Sequence, residues 1–199
     1  VALALARLDA LLASDAAAWD SQNVSCPRVL RFGPHDYRMW YYRRDAAFDP
    51  EVRLPDCVFE VTPGHYAWRE LYRSQEHGYS VIAMTWGPGQ GTPIHDHSGM
   101  WCVEGVWHGM LEITPYELVE QRDGRFRFES RGTMNAGPGS AGSLIPPHEY
   151  HTIRNPSSDE LAVTLHIYRG PMTCCSVFRP ADATWFERDE RQLALDRTH

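Results

Sequence analysis

His95 and His97 stand one residue apart in the stretch Gly89-Gln90-Gly91-Thr92-Pro93-Ile94-His95-Asp96-His97-Ser98-Gly99-Met100-Trp101-Cys102, which runs on to Gly109. Successive side chains of extended backbone alternate, so residues i and i+2 share a face and both imidazoles point the same way. That is metal-ligand spacing, and imidazole suits iron, zinc, copper and nickel alike. A later segment, Pro146-Pro147-His148-Glu149-Tyr150-His151-Thr152-Ile153-Arg154-Asn155, offers a further histidine to complete such a site. Taken singly, His151 also reads as a satisfied surface histidine; the three together read as a metal site.

The charged residues narrow the chemistry. All 19 basic residues are arginine and none is lysine, which removes Schiff-base catalysis and the phosphate-loop lysine. A net charge of −7 with no basic stripe argues against nucleic acid as a partner. No apolar run approaches the ~20 residues of a membrane span. The first nine residues have neither a basic start nor an unbroken apolar core, so they do not read as a signal peptide. Five cysteines, Cys26, Cys57, Cys102, Cys174 and Cys175, are odd in number and form no C-x-x-C, which suits reduced thiols and a cytoplasmic location.

The elements that must position these residues follow from periodicity. Leu3, Leu5, Leu8, Leu11, Leu12 and Trp19 have helical spacing and predict a first helix over 3–19. Prolines punctuate 21–63 into an irregular stretch, in which 37–44 reads as a short helix or strand. From about Tyr66, short β-type runs cover 69–73, 79–86, 95–106, 109–120, 125–131, 141–145, 151–154 and 161–168, with Asp123-Gly124 and Asn155-Pro156 as turn dipeptides. That texture belongs to an antiparallel sandwich or barrel. Residues after Pro180 are charged and read as a loosely packed surface helix or strand. One domain over 1–199 is expected, with an N-terminal extension over 1–63, a barrel over 64–180 and a C-terminal extension over 181–199.

Gly89, His95, His97 and Gly109 match the first motif of the cupin superfamily, and Pro146, His151 and Asn155 match the second, with His148 replacing a glycine. The chain therefore resembles a cupin, which implies an all-β fold, a double-stranded β-helix or jelly-roll barrel, here with N-terminal helices. Cys102 stands where the first motif carries its glutamate. The expectation is three neutral imidazoles on a dication, about half of an octahedral shell open, and no protein carboxylate on the metal.

With that cysteine the sequence is similar to the cysteine dioxygenases, thiol dioxygenases of the cupin superfamily, over about Tyr66 to Cys175. The resemblance implies a ferrous iron held by His95, His97 and His151, and a thioether crosslink between Cys102 and Tyr168. It also implies that Thr164 and His166 hydrogen-bond toward the Tyr168 hydroxyl, and that Arg69 binds the substrate carboxylate, although the family's Tyr-x-Arg appears here as Tyr66-Ala67-Trp68-Arg69. Cys175 and Trp86-Gly87 fall in register, whereas Arg169-Gly170-Pro171 departs from the Ser-Pro-Pro of the mammalian pattern. A guanidinium fork suits a carboxylate. The implied roles are catalytic for Tyr168, His166 and Cys102, supporting for Thr164 and Cys175, and substrate-binding for Arg69 and Tyr168.

The implied reaction takes L-cysteine and dioxygen to cysteine sulfinic acid. A 3-mercaptopropionate dioxygenase, in which glutamine usually replaces the arginine, is the near alternative; a non-redox metal-binding cupin is the alternative from another class. Sequence gives no oligomeric state, and a monomer fits it.

Overall fold

The computed structural model describes residues 54–197. The expected helix over 3–19 and the 37–44 element lie outside the described residues. Within them the chain forms a short 3-10 turn (Asp56–Phe59) and twelve strands: β1 (Ala67–Ser74), β2 (Tyr79–Trp86), β3 (Ile94–His95), β4 (Cys102–His108), β5 (Leu111–Arg122), β6 (Arg125–Ser130), β7 (Met134–Ala136), β8 (Ala141–Leu144), β9 (His151–Arg154), β10 (Ala162–Tyr168), β11 (Cys174–Pro180) and β12 (Phe186–Gln192). They make two antiparallel sheets, β1-β2-β10-β4-β8 and β6-β12-β11-β3-β9-β5-β7, the second also joining β5 to β6. Early and late strands interleave, β10 lying between β2 and β4 in one sheet and β3 between β11 and β9 in the other, as expected of a double-stranded β-helix. The fold is the all-β cupin architecture.

The sheets face each other across one apolar core. Ile82, Met84 and Trp86 of β2 meet Leu111, Ile153 and Val177 of the opposite sheet there. Every residue of β2 is buried, because Ala83 on its other face is covered by Cys57 and Val58 of the 3-10 turn together with Val163. A strand covered on both faces reads as a continuous apolar run. A separate aromatic cluster gathers Ile94, Phe126 and Phe178 with Phe128, Tyr150 and Phe186.

Of the expected runs, 79–86 and 151–154 appear with the ends expected, five appear as single strands with shifted ends, and one divides. The 95–106 run breaks into β3 and β4, in different sheets, because Ser98 and Gly99 both take positive φ (53° and 73°) and turn the chain across the core. Asp96 fastens this turn, its Oδ1 accepting from the Ser98 amide at 3.1 Å and the Ser176 amide at 2.8 Å. Of the charged residues after Pro180, Phe186–Gln192 form the surface strand that was one of the two expectations: β12 lies between β11 and β6, paired with β11 from Cys174 to Pro180. Strands β7 and β11 also go beyond the sequence expectation.

Candidate active site

His95 ends β3 and is paired with His151, the first residue of β9, while His97 follows two residues later just before the turn. Their ligand-capable nitrogens lie within 4.8 Å of one another. His151 Nδ1 is 2.9 Å from the Glu149 carbonyl and His95 Nδ1 is 3.2 Å from the Pro93 carbonyl. A carbonyl only accepts, so each Nδ1 carries the proton and each Nε2 offers its lone pair. His151 Nε2 and His97 Nδ1 are buried with no hydrogen-bond partner.

Burial, opposed by weaker hydrogen bonds, lowers the pKa of His95 to about 4; burial and then the neighbouring imidazoles hold His97 and His151 well below the ordinary value. Neutral, dry imidazoles with orphaned nitrogens in one cluster are what a divalent metal requires. The donor set fits such an ion.

Beside the triad, adjacent strands of the smaller sheet set polar side chains in a row. Register places Tyr168 opposite Cys102, His166 opposite Glu104 and Thr164 opposite Val106. All of these face the core, since every second residue of a strand shares a face. Trp86 Nε1 donates to Thr164 Oγ1 at 2.9 Å, and Thr164 Oγ1 lies 2.7 Å from His166 Nε2. Having accepted from Trp86, the Thr164 hydroxyl can donate to His166 Nε2, and in that tautomer the ring proton sits on Nδ1.

His166 Nδ1 then faces three groups: the Tyr168 hydroxyl at 3.3 Å, Glu104 Oε2 at 3.4 Å and Cys102 Sγ at 3.9 Å. Burial pushes His166 down to about 3, and pushes the Tyr168 hydroxyl and the Cys102 thiol well up, so both of those keep their protons. The Tyr168 hydroxyl and the Cys102 thiol thus meet at His166 Nδ1 from cross-strand positions.

Glu104 stands beside the three-histidine set and outside it, grouped with Cys102 and His166. It is 7% exposed, burial raises it to about 8, and Oε2 has no hydrogen-bond partner and stands 3.8 Å from His151 Nε2. The cupin motif spacing misses it by falling on Cys102. Strand alternation finds it, two residues past Cys102 on the same face.

Two hollows flank the triad. One is apolar and lies against Glu104 and His151, between Leu111, Ile113, Met134 and Leu144. The other is walled by Tyr66, Trp68, Met84, Trp86, Met172 and Cys175, and reaches His95, His166 and Tyr168. In this second hollow Trp68 stacks on Tyr168 at 5.7 Å between centroids, and Tyr66 stacks on Trp86 at 4.5 Å.

Arg69 is not brought to either hollow. Trp68 is paired with Met84 on the inner face, which turns Arg69, one residue on, to the outer face. There it is buried, with Nη1 donating to Thr85 Oγ1 at 3.0 Å and Nη2 to the Glu60 carbonyl at 3.0 Å. A one-residue offset reverses every face of a strand. The guanidinium beside the aromatic hollow is Arg191 of β12, paired with Cys175, donating to the Tyr66 hydroxyl at 3.1 Å and lying 5.2 Å over the Tyr66 ring. Asn155 ties loops together, its Nδ2 donating to the carbonyls of Trp86, Gly87 and Glu160.

Residues 59–180 match the family model described as Cysteine dioxygenase type I. Cysteine dioxygenase type 1 of Rattus norvegicus is 26% identical over 138 residues, covering 64% of this chain and 68% of the relative. The Danio rerio protein of the same name is 27% identical over 100 residues, covering 50% of this chain and 49% of the relative. Among solved structures, the protein TT1209 from Thermus thermophilus has a TM-score of 0.44 at 19% identity, over 59% of this chain and 95% of that one. An RmlC-like cupin from Desulfovibrio desulfuricans has a TM-score of 0.40 at 16% identity, over 55% and 86%.

Proposed function

The chain belongs to the cysteine dioxygenase type I family, and from that premise we propose that it is a non-haem iron thiol dioxygenase, oxidising a small thiol, L-cysteine in the first place, with dioxygen to the sulfinic acid. The observation that carries this reading is the cluster of His95, His97 and His151 with the Cys102–Tyr168–His166 group beside it. Ferrous iron on the three imidazoles would supply the redox centre at which dioxygen and a thiolate react.

The remaining roles belong to the chain's own side chains. Trp86 fixes Thr164, Thr164 fixes His166, and in the tautomer with its proton on Nδ1 His166 donates to the Tyr168 oxygen. That leaves the Tyr168 hydroxyl proton to donate onward, to Cys102 or to a substrate between it and His97, whose ring centroid is 5.6 Å away. The aromatic walls keep water from the thiol and orient it. Four cysteines among the described residues, Cys57, Cys102, Cys174 and Cys175, are free thiols, which agrees with a cytoplasmic setting. No helix among the described residues is long and apolar enough to cross a membrane.

The outward turn of Arg69 favours a second substrate reading, in which 3-mercaptopropionate or another small thiol replaces L-cysteine. Oxygen consumption by iron-loaded protein, with iron quantified on the same sample, tests both. L-Cysteine, 3-mercaptopropionate, cysteamine and mercaptosuccinate form the panel. Uptake coupled to sulfinic acid formation is expected with at least one of them; uptake no greater than in a boiled control with every thiol overturns the reading.

A further inference from the structure

We propose that Arg191 is the residue that reads a carboxylate on the substrate, so that the specificity-determining cation of this site comes from β12 and not from β1. The inference deepens the thiol dioxygenase reading and rests on it. It commits the substrate to a small thiol that also carries a carboxylate.

Strand register carries it. Arg191 lies opposite Cys175 in the β11–β12 pair, and directly opposed residues of an antiparallel pair share a face. Cys175 is buried and lines the aromatic hollow, and Leu193, two residues past Arg191, lines it too. Glu190 and Gln192 point the other way, hydrogen-bonded to each other at 2.7 Å on the exposed side. The Arg191 guanidinium donates to the Tyr66 hydroxyl at 3.1 Å and lies 5.2 Å over the Tyr66 ring, and among the described residues no carboxylate pairs with it. Burial raises the Cys175 thiol to about 11 and the Tyr66 hydroxyl above its ordinary value, and at both the Arg191 charge acts the other way, so that charge is felt in the wall of the hollow.

The chain on either side holds the arginine in place. Beyond β12, the Leu193 amide donates to the Thr173 carbonyl at 2.8 Å and the Asp196 amide to the Trp68 carbonyl at 2.8 Å, while the Trp68 amide donates to Asp196 Oδ2 at 2.8 Å. The end of β12 is thereby tied both to the start of β11 and to β1. Tyr66 is itself fixed by stacking on Trp86. A fork held in this way loses little freedom on meeting a carboxylate and keeps N–H donors in matching geometry. Trp68 takes the inner face of β1, where a cation from that strand would have to stand. A small thiol lying in the hollow with its sulfur toward His95 presents its carboxylate to the wall of Tyr66 and Cys175, beside Arg191.

The test is substrate binding without turnover. Iron-loaded wild type, Arg191→Met and Arg191→Lys are titrated anaerobically by calorimetry with 3-mercaptopropionate and its neutral amide, and with L-cysteine and cysteamine. Wild type is expected to bind each acid roughly tenfold more tightly than the counterpart without a carboxylate. Arg191→Met, which keeps an apolar cover on Tyr66, is expected to bring each pair within about twofold, and Arg191→Lys to recover part of the preference as a point charge. A general loosening of the fold weakens both members of a pair alike, so the ratio within a pair is the readout. Melting temperatures show that each variant is folded, and the wild-type ratio stands whatever the variants do. Equal binding of acid and amide by wild type, or a preference that survives in Arg191→Met, overturns the proposal while leaving the thiol dioxygenase reading standing. Binding of none of the four thiols overturns that reading and the proposal with it.

Discussion

At the scale of single residues, the Cys102–Tyr168 pair carries the sharpest consequence. The two are cross-strand partners, fully buried and both in contact with His166 Nδ1, with both protons retained. A thioether between Sγ and a ring carbon ortho to the hydroxyl breaks one S–H and one C–H bond, and dioxygen accepts the two electrons and two protons. Protein exposed to iron, thiol and air is therefore expected to lose the mass of two hydrogen atoms and, when conversion is partial, to run as two gel bands. Cys102→Ala should abolish both signs at a stability cost of about 1 kcal/mol for the small cavity. Intact-mass spectrometry decides it: a deficit that survives in Cys102→Ala, or that never appears in wild type, sinks the crosslink. The residues of this row were legible because alternation alone puts 164, 166 and 168 on one face. Glu104 was passed over because motif spacing stops at Cys102; alternation along β4, and its pairing with β10, set 102 and 104 on the same wall.

At the scale of elements, the strand faces decide which cation can meet a substrate. The sequence separation between Arg69 and His95 was readable, but the face of β1 was not, because both Trp68 and Arg69 are buried and either could point inward. The pairing of Trp68 with Met84 settles it. For the same reason the cation at the aromatic hollow was invisible in sequence: Arg191 lies in a charged stretch without apolar alternation, and it takes the β11–β12 register to set it beside Cys175 and Tyr66. Arg69→Ala is thus expected to cost about 2 kcal/mol of stability through lost packing and an orphaned Glu60 carbonyl, with KM within about twofold of wild type. Arg191→Ala is expected to raise KM for carboxylate-bearing thiols roughly tenfold, the value of one charge-assisted hydrogen bond, and to leave cysteamine unaffected. Steady-state oxygen uptake on the two variants checks this; a large KM effect confined to Arg69→Ala would reverse the assignment. The single 95–106 strand was misjudged for another reason: the Ser98-Gly99 dipeptide is a turn signal inside the run, and its two positive-φ residues send the halves to different sheets.

At the scale of the whole molecule, the fold spends stability to hold titratable groups dry in one core. His95 at about 4 and His166 at about 3, with His97 and His151 also depressed, titrate in the folded protein below the ordinary unfolded value of about 6.5. Their contribution is complete above that value and is lost as pH falls, because the unfolded chain then binds protons that the folded one refuses. Glu104, raised to about 8, acts in the opposite sense: its cost grows as pH rises from the unfolded carboxyl range toward 8. Between about pH 6.5 and 4.5, four histidines therefore oppose one glutamate, and each carries about 1.4 kcal/mol per pH unit at most. Metal-free protein in chelator is expected to melt progressively lower across that interval. Glu104→Gln, freed of the glutamate cost, should start above wild type at the upper end and converge with it toward the lower. A divalent ion, bound only by deprotonated ligands in the folded state, should raise both melting temperatures most at the upper end of the range. Thermal unfolding by circular dichroism at half-unit pH steps, with and without Zn(II), measures all three effects. A melting temperature flat across the interval in chelator would mean that these imidazoles are hydrated in solution, and a hydrated cluster would not hold its nitrogens bare for a metal.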